Sequence, residues 1–264
     1  TTICPKMKIY HEAPISIFNK VQKITDGDYF LVHLFEENKE YLELALESVS
    51  KNRETILDNS VFELEKAFNG ELYKNWVDVL NPTWYIIPDV LDNCDLTIKS
   101  YLKFIEQFPN IESKSIAVVQ GNSYEEVKKC YNFFKEQPID MIAFSFNHPF
   151  YIKSLNIYED MMNGRIETLN RLYNEGVIDV NKKHHLLGCS LPREFIRYRD
   201  YKWIYSVDTS NPVVTGINNT RYSNIGINTK FKEKLFTLIN RAVTDIEFSD
   251  IEFNINKFRE FCNG

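Results

Sequence analysis

The chain has 264 residues, 44% of them hydrophobic and 26% charged, enough for one large α/β barrel or two ordinary domains. A formal net charge of −6 argues against an affinity built on neutralising many phosphates, and no apolar run reaches the ~18 residues of a bilayer span, so a soluble protein without membrane contact is expected. The opening TTICPKMKIY has no basic segment leading into an apolar stretch, so no signal peptide is expected, and five scattered cysteines (Cys4, Cys94, Cys130, Cys189 and Cys262) fit reduced thiols in a cytoplasm better than a disulfide framework.

Along the chain, short β-rich apolar runs recur at YFLVHLF (29–35), ETILD (54–58), WYIIPD (84–89), SIAVVQG (115–121), MIAFSF (141–146), HLLGCS (185–190) and WIYSVD (203–208). An eighth strand is expected at PVVTG (212–216) or SNIGI (223–227). Helical spacing fills the gaps: Ile98, Tyr101, Leu102, Ile105 and Phe108 share one face, as do Val127, Tyr131 and Phe134. Asn122-Ser123, followed by Glu125 and Glu126, offers the second of these a capped start. Residues 230–264 read as helical. Strand-helix alternation predicts an α/β fold, a single (β/α)₈ TIM-type barrel over 1–264 with C-terminal helices. A doubly wound sheet is the competitor, but its GxGxxG or GxxxxGK[ST] turn is absent.

Polar residues fall just past several strand ends: Asp58 and Asn59, Asp89 and Asp92, Gln120, Ser145 and Asn147, Asp208 and Thr209. One aspartate in such a place is more often a turn former or helix cap than a catalyst. Five such ends together point to the face that barrels use for chemistry. Two carboxylates and an amide suit displacement at an anomeric carbon, with one carboxylate as nucleophile, the other moving a proton and the amide reading a neutral ligand. No CxxC or His/Cys cluster has metal-ligand spacing, so neither metal nor cofactor is expected.

At these same positions the chain resembles the tRNA-guanine transglycosylase family, including the phage and bacterial branch that places 7-deazaguanines in DNA. The family's TDSGGFQ block corresponds to LDNSVFE, with Asp58 and Phe62, and its next acidic block to PDVLDN, with Asp89. VQGG corresponds to VVQGN, with Gln120 and Gly121. LMGVGxPxD corresponds to LLGCSLPRE, with Leu187, Gly188 and Pro192, and FDCVxPT to SVDTSNPVV, with Asp208 and Pro212. Each block is weak alone; their order over residues 54–216 carries the resemblance.

The resemblance implies that Asp208 attacks C1′ of a guanine nucleotide, that guanine leaves, and that a 7-deazaguanine base attacks the glycosyl-aspartate. It implies Asp58 as general acid/base, Asp89 and Gln120 as readers of the purine edge, Phe62 and Leu187 as walls on its faces, and contacts from Asn59, Gly121, Gly188 and the backbone around Ser145. It also implies a homodimer in a cytoplasm, a host's cytoplasm for a phage-encoded chain. The zinc subdomain of the tRNA-acting members is missing, and Val213, Val214 and Ile217 stand where those members carry arginines. Ser60 and Val61 replace two glycines. These departures favour a deoxyguanosine acceptor, DNA or free deoxyguanosine monophosphate, over tRNA, and retention of both aspartates argues against a noncatalytic partner subunit.

Other residues have blander readings. His184 and His185 are more often one satisfied in the core and one solvated than catalytic, and His148 reads as a loop residue. Cys189 reads as a small buried hydrophobe. Arg193, Arg197, Arg199 and Lys202 form the densest basic cluster, suited to a phosphate or to a solvated face.

Overall fold

Eight parallel strands close into a barrel in chain order in the computed structural model, which describes residues 5–147 and 156–264. The strands are β1 (Lys8–Tyr10), β2 (Gly27–Leu31), β3 (Glu54–Asp58), β4 (Trp84–Ile86), β5 (Lys114–Val119), β6 (Met141–Ser145), β7 (Lys183–Leu187) and β8 (Ile204–Asp208). Between and after them lie α1 (Phe18–Gln22), α2 (His33–Glu37), α3 (Lys39–Ser50), α4 (Val61–Leu64), α5 (Gly70–Leu80), α6 (Cys94–Gln107), α7 (Tyr124–Lys135), α8 (Ile157–Asn174), α9 (Asn211–Ile217) and α10 (Asp245–Asn263). The (β/α)₈ expectation is met, and α10 supplies a C-terminal helix.

The eighth strand is not where the sequence pattern places it. It is β1, three residues long and too short to show an alternation. Residues 212–216 lie in α9, where Pro212 sits at the start of a helix with its φ already set and no amide to leave unpaired. Residues 223–226 form a tight turn closed by Ser223 and Gly226. The 29–35 run is also shorter as a strand, since it ends at Leu31 and His33–Glu37 is helical. A continuous apolar run does not by itself tell strand from buried helix.

The described residues fall into two compact units. One holds Asp28–Ser145 and Arg171–His184. Here β3, β4, β5 and β6 pair in parallel, with Ile56 opposite Trp84, Tyr85 opposite Ser115 and Val118 opposite Ala143. Its longer helices start on side-chain caps, Asn38, Asn69, Asn93 and Ser123 each accepting from the third residue onward. Tyr73 on α5 donates its hydroxyl toward the carbonyls of Leu57 and Ile86, fixing the helix over the ends of β3 and β4.

The other unit comprises 1–27, 146–170 and 185–264, apart from residues outside the description. In it β1 pairs with β8, Lys8 opposite Ser206 and Tyr10 opposite Asp208. Its core joins Ile17 and Val21 to Val213, Val214 and Ile217 of α9 and to Ile251 and Ile255 of α10. A capping box starts α10: Thr244 accepts from the Glu247 amide and the Glu247 carboxylate accepts from Thr244 N–H. No helix of the described residues is long and apolar enough to cross a membrane.

Candidate active site

In the first unit, β3 ends on Asp58 and the chain turns at once, Ser60 adopting a left-handed φ of 63°. That turn lets the Ser60 amide donate back to Asp58 Oδ1 at 3.3 Å, while the Tyr29 hydroxyl on β2 donates to Oδ2 at 2.8 Å. Ser60 is held in turn by His33, whose amide donates to Oγ at 3.2 Å and whose Nδ1 lies 2.8 Å from it. Burial lowers the pKa of His33. Tyr29, His33 and Ser60 were not legible as site residues.

Beside Asp58 in sequence, Asn59 turns inward and binds Asp89 and Gln120 into one buried cluster. Asn59 Nδ2 donates to the Ile87 carbonyl at 3.1 Å and to Asp89 Oδ1 at 2.8 Å; Gln120 Nε2 donates to Asp89 Oδ2 at 2.7 Å. Gln120 Oε1 accepts from the Asp92 amide at 3.0 Å, which fixes which way round the amide points. Burial pushes the Asp89 carboxyl up, against the lowering pull of its Asn59 and Gln120 hydrogen bonds. The carboxylate keeps acceptor capacity and Gln120 keeps one N–H, a pattern able to meet a donor-rich purine edge. Asp92 is exposed in a left-handed conformation and serves through its backbone.

Gly121 has a packing role: a Cβ there would stand 2.8 Å from the Val127 amide and from Glu126 Cβ in the first turn of α7. Ser123 caps that turn as its position suggests, accepting from Glu126 N–H at 3.2 Å. Phe62, on α4, is 38% exposed, an unusual fraction for a phenylalanine beside a strand end. Ser145 closes β6 and is half-buried.

In the second unit, Asp208 ends β8 with 6% of its surface exposed. His185 Nε2 lies 2.7 Å from Asp208 Oδ1, and His185 Nδ1 lies 2.6 Å from Ser206 Oγ. A carboxylate only accepts, so Nε2 carries the proton toward Asp208, while Nδ1 is held by the Ser206 hydroxyl. Oδ2 of Asp208 has no hydrogen bond among the described residues. Ser206 and Asp208, two apart on one strand, face the same side, which is why one imidazole reaches both.

The sequence expectation for the two histidines is therefore corrected: both are fully buried, and neither is solvated. His184 stacks on Tyr131 and Phe144 and takes the Tyr131 hydroxyl at 2.8 Å, as a core residue would. His185 meets the predicted nucleophile. Strand alternation, which sends adjacent residues to opposite sides, was the signal that could have separated them.

Leu187 and Gly188 at the end of β7 offer their carbonyls to Arg165 of α8, at 2.9 Å each. Arg165 and Glu194 are fully buried and paired twice, Nε to Oε2 at 2.7 Å and Nη2 to Oε1 at 3.2 Å, with the Tyr198 hydroxyl completing Glu194 at 2.5 Å. Gly188 has φ of 68°, and a Cβ there would run into the Phe146 ring at 2.5 Å. Cys189 is buried as expected, its thiol pKa raised by burial. The basic cluster serves structure: Arg193 binds Glu159, Asn228 and the Ile227 carbonyl, Arg199 binds the carbonyls of Glu260 and Phe261, and Lys202 binds the Arg199 carbonyl. Arg197 is exposed. His148 and Cys4 lie outside the described residues.

Among the described residues, no group of three His, Cys, Asp or Glu could hold a metal ion. The chain matches no protein-family model, and a search of curated proteins finds no relative.

Proposed function

We propose that the chain is a guanine transglycosylase, exchanging guanine for a 7-deazaguanine base in a deoxyguanosine substrate, DNA or free deoxyguanosine monophosphate. The observation that carries this reading is the Ser206–His185–Asp208 chain, which ties one carboxylate oxygen and leaves the other for attack. In the reaction, Oδ2 of Asp208 bonds to C1′ as the C1′–N9 bond breaks, and a proton from Asp58 neutralises the departing guanine. The incoming base then attacks C1′ through N9, gives its N9 proton to Asp58, and Asp208 leaves as a carboxylate. His185 Nε2–H supports both steps, fixing Oδ1 while Oδ2 attacks and stabilising the charge that returns to the carboxylate on departure.

Three further observations support the reading. Asp58 ends β3 and Asp208 ends β8 of a closed parallel barrel, and such barrels gather chemistry at their C-terminal strand ends. The Asn59–Asp89–Gln120 cluster offers acceptors for N1–H and the 2-amino group of guanine and an N–H for O6. Ser60 takes a left-handed φ at the place where the resembled family carries a glycine, the residue for which that conformation is easiest.

The test is incorporation of radiolabelled guanine into deoxyguanosine monophosphate, duplex DNA, single-stranded DNA and unmodified tRNA in parallel. Label in a deoxyguanosine acceptor, lost in Asp208→Asn, is the expected result; label in tRNA alone, or in no acceptor, overturns it.

A further inference from the structure

Lys230 lies on the segment between α9 and the 3₁₀ turn Leu235–Leu238, and its side chain reaches back to the end of β7. Nζ donates to the Cys189 carbonyl at 3.0 Å and stands 4.4 Å from the centroid of the Phe146 ring. It makes no ion pair among the described residues, and residues 148–155 contain no Asp or Glu to supply one. An ammonium has three donors, and withdrawing it from water without a counter-charge is costly. Burial draws the Lys230 pKa below the usual lysine range, with Arg165 and Lys234 pressing the same way and Cys189 and the Glu12 carboxylate pulling against them. Arg165 is committed to Glu194 and two carbonyls, whereas Lys230 is a cation at this strand end with donors to spare among the described residues. Lys230 thus sits just past the end of β7, the strand whose His185 holds Asp208.

What this arrangement lacks, among the described residues, is an anion paired with the ammonium. Barrels commonly hold phosphate on the loops after their seventh and eighth strands, and Cys189 opens the seventh such loop. We propose that Lys230 is the cationic element of a phosphate-binding site, taking the phosphate attached to the sugar that Asp208 attacks. Its preference for a nucleotide over a nucleoside rests on the transglycosylase reading; the binding of phosphate does not. The shared chemistry is a phosphoryl oxygen, from a mononucleotide or from the phosphodiester of a strand.

Lys230→Gln keeps a donor for the Cys189 carbonyl and removes the charge, and Lys230→Arg keeps the charge. Binding of inorganic phosphate to the full chain, measured by calorimetry with melting temperature as the folding control, is expected to weaken about tenfold or more in Lys230→Gln and to persist in Lys230→Arg. No phosphate binding by the unaltered chain, or equal binding by Lys230→Gln, overturns the site. In base exchange, the ratio of kcat/KM for deoxyguanosine monophosphate to that for deoxyguanosine is expected to fall about tenfold in Lys230→Gln. Repeating the comparison with a short single-stranded oligonucleotide separates a terminal phosphate from a phosphodiester. Phosphate binding without base exchange in any acceptor would sink the transglycosylase reading and leave the anion site standing.

Discussion

A carboxylate with one oxygen tied and one open behaves differently from one with both tied, and the chain has both kinds. Asp208 has Oδ1 on His185, whereas Asp58 has donors on both oxygens. Replacing His185 by Phe removes the donor while keeping an aromatic ring. The expected result is a fall in kcat of about 10²-fold with KM for the base little changed, read by steady-state kinetics, since the support is needed mainly as charge moves on Asp208. An equal fall in binding would mark His185 as structural. Asp89 allows a test by pH. Its raised pKa means that acid protonates it while ordinary carboxylates stay ionised, and a protonated Asp89 loses its acceptor role toward N1–H and the 2-amino group. KM for guanine is therefore expected to rise as pH falls into the acid range, and Asp89→Asn is expected to raise KM and flatten that dependence. The aspartates were legible because acids at strand ends stand out against apolar runs. His185 and Ser206 were not, because a buried histidine declares its partner only when the neighbouring strand is in place.

Helix α10 and the ends of β1 and β8 meet at His11. Its Nδ1 donates to the Thr209 carbonyl at 2.6 Å, its ring sits edge-on to Phe258 with centroids 5.1 Å apart, and Nε2 has no hydrogen-bond partner among the described residues. Burial lowers its pKa to about 4. The unfolded chain therefore takes up a proton below pH ~6.5 that the folded chain refuses until about 4, so the contribution of His11 is complete above that window and falls with pH through it. The shift is worth about 3 kcal/mol. Urea melts from pH 7 to 4 are expected to show this loss, reduced in His11→Asn, which keeps a donor for Thr209. The Arg165–Glu194 pair is a second element-scale joint, tying α8 to the Pro192–Tyr198 turn and to the β7 end. Arg165→Met leaves Glu194 buried with the Tyr198 hydroxyl alone, and a loss of about 3–5 kcal/mol in unfolding free energy is expected by denaturant titration. Elements with a full apolar run or a capped start could be read from the sequence, as at β5 and α7. The helical residues 212–216 could not, because a helix buried on every side and a buried strand share the same apolar letters.

Across the whole chain, a net charge of −6 meets a basic cluster in which Arg193, Arg199 and Lys202 are already engaged by internal acceptors. A single-stranded oligonucleotide is therefore expected to bind with a shallow salt dependence, a slope of log K against log salt near about −1, where a protein gripping many phosphates would show several times more. A steep slope would show that the chain tracks a polymer backbone. The barrel as a class was legible from alternation alone. Its closure was not, since the closing strand is three residues long and its partner lies at the far side of the sequence. That pairing has a consequence for synthesis. Lys8 leaves the ribosome well before Ser206, its partner in the ladder, which is translated nearly two hundred residues later. Until then β1 has no β8 to pair with, and the nascent chain keeps an open sheet edge. Barrel assembly during translation is thus timed by the last strand, and chaperone demand should peak just before Asp208 clears the exit tunnel.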